Sequence, residues 1–358
     1  MTGTIFTCCC VLASCGILTA FQDTSRNDAI LNITALDAKD QPVTDLTTQD
    51  LRVFDDDKPQ NITSFHAAAA QPDNSQPTTL LFLDLLNASF ANRDYEANVM
   101  AHALEPLEQG DSIYLYLLTV RGDLYPVHAL PAPGQTEERR RMGPPWTRRI
   151  QPVLNSALQE VFGLRPMDDK DGGIRTAATF QALSILGEQL GQIRGPKTLI
   201  WITAGVPNIL AYPYGCRDVD FTSITGNYVA GKCGNENCIF PQQKCVDYAP
   251  FFRRFVSELN RSDTVLDSAE AIFESIPPAN RGTSRDTLQR LASLTGGRIY
   301  VSGDAGKAIT QSLDAVRGRY RLAFAPPHQD GNYHKLRVSC ARKGVRIEAP
   351  RGYFADAK

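Results

Sequence analysis

Net charge is the first thing this sequence lacks: 37 Lys and Arg against 39 Asp and Glu leave -2 over 358 residues. So even a balance excludes a nucleic-acid binder driven by phosphate neutralisation. The common catalytic motifs are also missing. There is no Gly-x-Ser-x-Gly elbow, no His-Glu-x-x-His, no Gly-x-x-x-x-Gly-Lys-Ser/Thr cradle and no Gly-x-Gly-x-x-Gly after a strand. The five histidines (His66, His102, His128, His328, His334) are dispersed, with no base–nucleophile pairing. No catalytic residue is expected, and the chain reads as a non-enzyme.

Long apolar runs are scarce as well. The first twenty residues carry no charge, but they fall short of the roughly 20 consecutive apolar residues a membrane span needs. Ile5-Phe6-Thr7, three cysteines and Val11 to Ala20 read as a secretory signal peptide over residues 1–20. Its n-region lacks Lys or Arg, and no clean Ala-x-Ala is present. Leu12-Ala13-Ser14-Cys15 also resembles a lipoprotein signal in which Cys15 would be acylated, the sole membrane contact expected. Apolar residues continuing to Phe21 fit cleavage near Ala20 better. The expected location is secreted, periplasmic or cell-envelope.

Export sets the cysteine arithmetic. Four of nine cysteines lie in the signal, leaving Cys216, Cys233, Cys238, Cys245 and Cys340. The first four fall in one Gly/Asn/Pro-rich stretch, so local disulfides are expected, with three pairings possible. The rival is a four-cysteine zinc site, but only Cys233 and Cys238 are close enough to form a knuckle. Cys340, alone in a strand pattern, reads as a buried apolar residue.

What is present is an α/β pattern between two β-rich ends. At 42% hydrophobic the chain can bury a sizeable core, and its length suggests two domains. Residues 21–66 carry short strands at 30–36, 43–46, 50–54 and 60–65, too few to bury a core alone. Asp55-Asp-Asp-Lys-Pro59 reads as a solvated turn, since it lacks the spaced ligands of an EF-hand loop. Residues 67–77 form a linker. Thr78-Thr-Leu-Leu-Phe-Leu-Asp84 then reads as a strand buried on both faces and ending in a carboxylate.

Helices are expected at 95–107, 154–162, 179–190, 251–259, 286–294 and 305–316. Strands are expected at 111–119, 124–130, 197–203, 264–267 and 299–301. Arg121-Gly122-Asp123 reads as a hairpin turn, not an integrin ligand. Residues 131–152, rich in arginine, read as a solvated loop, and Gly172-Gly173 and Gly296-Gly297 as turns. Strands alternating with helices mean crossovers and a mostly parallel sheet over 78–316, interrupted by the cysteine insertion 208–246. Tyr320-Arg-Leu-Ala-Phe324, Lys335 to Cys340 and Val345 to Glu348 return to β. These C-terminal strands, within 317–358, are expected to pair with 21–66.

In this order the chain resembles the von Willebrand factor A-related family of acidobacterial type. The resemblance rests on Pro42-Val-Thr-Asp-Leu46, Asp50-Leu-Arg-Val-Phe54, Lys58 to Phe65, Leu81-Phe-Leu-Asp-Leu-Leu-Asn87, Gly195 to Gly205, Leu291 to Arg298, Tyr320 to Phe324 and Arg351-Gly-Tyr353. It implies an α/β fold with a von Willebrand factor A-like doubly wound, mostly parallel sheet, plus a smaller β-domain built from both chain ends.

A-domains of this superfamily bind ligands through a metal held by an Asp-x-Ser-x-Ser loop, a threonine and a later aspartate. Here that loop reads Asp84-Leu85-Leu86-Asn87-Ala88, and the later aspartate falls on Ala204. Asp84, Asn87, Ser89, Thr176 and Thr179 are the candidate binding residues of a degenerate site. No cofactor is expected beyond weak Mg2+ at Asp84, because one carboxylate with scattered hydroxyls holds a hard cation poorly. Asp84 would otherwise cap the helix that follows it. The resemblance implies a secreted or envelope-associated protein-binding, adhesion-type module with protein partners. The alternative is a secreted hydrolase acting in a cleft between insertion and sheet.

Overall fold

The computed structural model describes residues 28–67, 77–87, 104–105, 107, 112–119, 121–132, 146, 148–149, 152, 172–203, 249–270, 288–301 and 305–355. The signal segment, Ser89, the helix expected at 154–162 and the four clustered cysteines lie outside them. Side chains of 172–177, including Thr176, are outside them too.

The organising element is β5 (Thr78–Asp84), buried along its whole length. It sits inside a six-stranded sheet with β6 (Ile113–Leu118), β7 (Leu124–His128), β8 (Lys197–Thr203), β9 (Thr264–Glu270) and β10 (Ile299–Val301). The order is β10-β9-β8-β5-β6-β7. Only β7, on the edge, runs antiparallel to its neighbour. The β6–β7 hairpin turns at Gly122, whose φ of 86° suits a residue without Cβ.

Alternation along the strands splits the core into two layers. Leu80, Phe82, Leu199 and Trp201 pack with Phe180, Leu183, Leu186 and Leu190 of α1 (Gly172–Gly191) and Phe255 and Leu259 of α2 (Ala249–Arg261). Leu81, Leu83, Ile200 and Ile202 face the other way, with Ala308 and Ile309 of α3 (Ala305–Ala315). Helices therefore cover both faces, which is why β5 and β8 read as unbroken apolar runs. Each fully buried Leu or Phe here contributes about 1.5–3 kcal/mol. The molecule is a mixed α/β fold.

Both chain ends build the second unit. β1 (Ala29–Leu36) pairs antiparallel with β11 (Arg319–Phe324), and the sheet runs β13 (Arg346–Glu348), β1, β11, β4 (Ile62–Ala67). β2 (Leu51–Asp55) pairs with β12 (Tyr333–Cys340), in the order β14 (Gly352–Phe354), β12, β2, β3 (Lys58–Gln60). Leu31 and Ile33 from one sheet share a core with Val53 and Leu336 from the other, making a two-layer sandwich.

Two features lock this unit to the α/β sheet. A Cβ at Gly296 (φ 80°) would lie 2.0 Å from the carbonyl oxygen of Asn32 in β1, so only glycine fits. The Arg319 guanidinium, at the start of β11, lies 3.3 Å from Asp267 of β9 in a fully buried ion pair. Ser312 of α3 donates to the same carboxylate oxygen, and the Arg298 backbone N–H donates to the other at 2.9 Å.

Several elements differ from expectation. Gly172-Gly173 open α1 instead of a turn, so that helix begins seven residues before Thr179. Residues 43–46 form no strand; Val43 N–H donates to Ala35 and Pro42 bridges Leu36. The segment expected at 60–65 is two strands, β3 and β4, and β4 runs on to Ala67, inside the expected linker. Cys340 is a free thiol and only half-buried. Asp55 is not in a solvated turn: it ends β2 fully buried, and only Asp56 and Asp57 make the two-residue hairpin loop. Their φ values of 45° and 62° are those a type I′ turn requires, which Asp tolerates.

Candidate functional site at the carboxyl ends of the central strands

Register brings the site together. Asp84 pairs with Thr203 and Phe82 with Trp201 across β5 and β8. With a period of two, Asp84, Trp201 and Thr203 share the sheet face that α1 covers. Thr179 of α1, fully buried, stands over that face.

Asp84 is 2% exposed, and protein donors reach both of its oxygens. Oδ1 accepts the Asn87 backbone N–H at 3.1 Å. Oδ2 accepts three groups: Asn87 Nδ2 at 2.7 Å, the Thr203 hydroxyl at 3.0 Å and Trp201 Nε1 at 3.3 Å. Burial pushes the Asp84 carboxyl up from its ordinary value, and the donors from Asn87, Thr203 and Trp201 pull it back down.

Asn87 is the hinge of the arrangement. Its Nδ2 also donates to the Thr179 hydroxyl at 2.8 Å, so one amide NH2 bridges the two oxygens. Those are two of the oxygens a divalent ion would have to bring together. Its own Oδ1 is buried and accepts no hydrogen bond from the described residues. Leu86, which the resemblance aligns with the first hydroxyl position of an A-domain metal loop, is 5% exposed and part of the apolar core.

The residues therefore do not fit Mg2+. That ion needs close to six oxygens at about 2.0–2.1 Å. Here Asp84 Oδ2 already takes three hydrogen bonds, and the Asn87 amide donor sits between it and the Thr179 hydroxyl. What the arrangement can do is hold the loop 84–87 rigidly above the sheet without an ion.

Of the expected site residues, the structure unites Asp84, Asn87 and Thr179. Thr176 lies one turn earlier on α1. Ser89 lies outside the described residues, as does the cleft beside the insertion where a hydrolase site was the alternative. Sequence reasoning missed Trp201 and Thr203, although the strand Lys197 to Thr203 had been recognised; the missing signal was the β5–β8 register. The Asn87 backbone N–H donates to Asp84; the helix that Asp84 was expected to cap lies largely outside the described residues.

The histidines are less dispersed in space than along the chain. His328 and His334 stack at 3.8 Å beside Asp55 and Asp56 in the β-sandwich, on a different unit from the rim at Asp84.

No protein-family model matches the chain, and no curated protein matches it. Among solved structures it is similar to the PilB minor pilin from Streptococcus sanguinis, at 8% identity and a TM-score of 0.32, covering 68% of this chain and 62% of that one. It is also similar to the pilus adhesin SpaC from Lactobacillus rhamnosus GG in its open conformation, at 9% identity and a TM-score of 0.36, covering 89% and 49%. The chain thus spans under two thirds of either protein. Likenesses this slight assign neither a fold family nor an activity.

Proposed function

We propose that the chain is an exported protein-binding module of von Willebrand factor A type, adhesion-like, whose recognition rim works without a metal ion. The observation that carries this reading is the Asn87 amide bonded to both Asp84 and Thr179, which holds the binding loop by hydrogen bonds where a cation would otherwise do so.

Three further points support it. The strand order, numbered within the α/β sheet, is 6-5-4-1-2-3, the doubly wound arrangement with its crevice at the switch point beside the first strand. Asp84 ends that first strand. The charge-free opening twenty residues favour export, to the cell surface or envelope, and no helix among the described residues is long and apolar enough to cross a membrane. Partners of such a module are proteins, recognised by loop shape and hydrogen bonding at the rim.

The test is capture of envelope proteins on the immobilised full chain, in Mg2+ and in EDTA. The reading expects one protein retained equally in both and lost with Asn87→Tyr, which crowds the rim. Retention only in Mg2+ would overturn metal independence, and no retained protein would overturn the binding role.

A further inference from the structure

A second constellation lies in the β-sandwich, away from the rim. Asp55 ends β2, Asp56 opens the hairpin loop after it, His334 lies on β12 and His328 precedes that strand. One ligand atom from each of the four lies within 4.8 Å of all the others. His334 Nδ1 is 2.9 Å from Asp56 Oδ2, and His328 Nε2 is 3.7 Å from the same oxygen. Two atoms here are orphans. Asp55 is fully buried, and among the described residues its Oδ1 takes no hydrogen bond; His328 Nε2 is buried with none either. Such atoms cost free energy unless something bridges them.

We propose that Asp55, Asp56, His328 and His334 bind a divalent transition-metal ion of the zinc class. The ligands would be Asp55 Oδ1, Asp56 Oδ2, His328 Nε2 and His334 Nδ1. Two imidazoles with two carboxylates suit a borderline ion, whereas Mg2+ and Ca2+ prefer all-oxygen sets.

The surroundings have the build of an outer shell. His334 Nε2 is 3.0 Å from Asp330 Oδ1, so a carboxylate takes the ring's other N–H and aims the first nitrogen. The Tyr353 hydroxyl donates to Asp55 Oδ2 at 2.8 Å, leaving Oδ1 as the free oxygen. Outer partners of this kind orient ligands and raise their basicity.

A four-coordinate ion places ligand atoms about 3.3 Å apart. Reaching that spacing asks the His328 ring, half-buried in the segment between β11 and β12, to tilt off its stacked neighbour. Asp56, more exposed, swings in with it.

The test is titration of the chelator-stripped full chain with Zn2+, followed by calorimetry, and with Co2+, followed by visible absorption. Expected are one saturable site, the intense d–d bands of four-coordinate cobalt, and no sulfur-to-cobalt charge-transfer band. His328→Ala removes the site, while Asp330→Asn, which keeps every ligand, weakens it about 10–100-fold. Circular dichroism confirms that both variants fold. No saturable binding overturns the proposal. So does binding unchanged in His328→Ala, or a thiolate charge-transfer band, which would assign the ion to the clustered cysteines.

Discussion

Asp84 and Asp55 are both buried carboxylates at strand ends, and their surroundings differ in kind. Around Asp84 the hydrogen-bond partners are neutral donors, one on Oδ1 and three on Oδ2. Around Asp55 one oxygen is bonded to Tyr353, the other has no hydrogen-bond partner among the described residues, and the next groups are imidazoles and a second carboxylate. The difference teaches how to judge a carboxylate as a metal ligand. Burial and position are equal in the two; the count of protein donors already in place separates them. By that measure the strand end at Asp84 is the poorer metal site and the hairpin at Asp55 the better one.

Asp267 supplies the scale for this comparison, since it meets a full opposite charge. Asp267→Ala leaves Arg319 buried and uncompensated, and is expected to cost about 3–5 kcal/mol in chemical denaturation. A loss under 1 kcal/mol would mean that the guanidinium finds water or another partner.

Lys197, on β8, carries a buried charge with no full counter-charge in hydrogen-bond reach among the described residues. Its Nζ donates to the carbonyls of Ile193 and Gly195 at 2.7 and 2.6 Å. Burial lowers its pKa from 10.5 to about 8. Between these values the unfolded chain binds more protons, so stability rises as pH climbs through about 8 to 10.5, by at most about 3 kcal/mol. Lys197→Met should flatten that rise in parallel melts; an unchanged slope would contradict the assignment.

Asn87→Asp converts the rim toward the other kind of site. It replaces the bridging NH2 with an acceptor facing Asp84, and should cost about 2 kcal/mol without metal through lost hydrogen bonds and like-charge repulsion. Mg2+ should restore part of that loss in the variant and none in the wild type. Equal Mg2+ responses would dissolve the contrast.

Tyr353→Phe acts on the second site. Removing the donor to Asp55 Oδ2 takes away the one hydrogen bond this carboxylate accepts from the described residues, at about 1 kcal/mol in denaturant. In the zinc titration it should weaken binding, because Asp55 is then free to rotate.

The rim was partly legible in the amino-acid order. An apolar run ending in Asp84, with Asn87 three residues on, marks a strand end and its loop whatever the rest of the chain does. Thr179 was legible only through the family resemblance. Trp201 and Thr203 were not, because which β8 residue meets Asp84 depends on register, and register is a property of two strands. The same limit hid the metal-like cluster. His334 and Asp56 are 278 positions apart and meet only because β2 pairs with β12. Asp55 was misread with its neighbours because three consecutive aspartates resemble a solvated turn. The strand's last pleat turns the first of them inward. Gly172-Gly173 resemble a turn on their own, yet open a helix whose Phe180, Leu183 and Leu186 pack on the sheet, a case of tertiary contacts overriding propensity.

The most direct test of the account is calorimetric titration of the chelator-stripped full chain with Mg2+. The hydrogen bonds already on Asp84 predict no saturable heat and no rise in melting temperature. A saturable Mg2+ site present in the wild type and lost in Thr179→Val would contradict it.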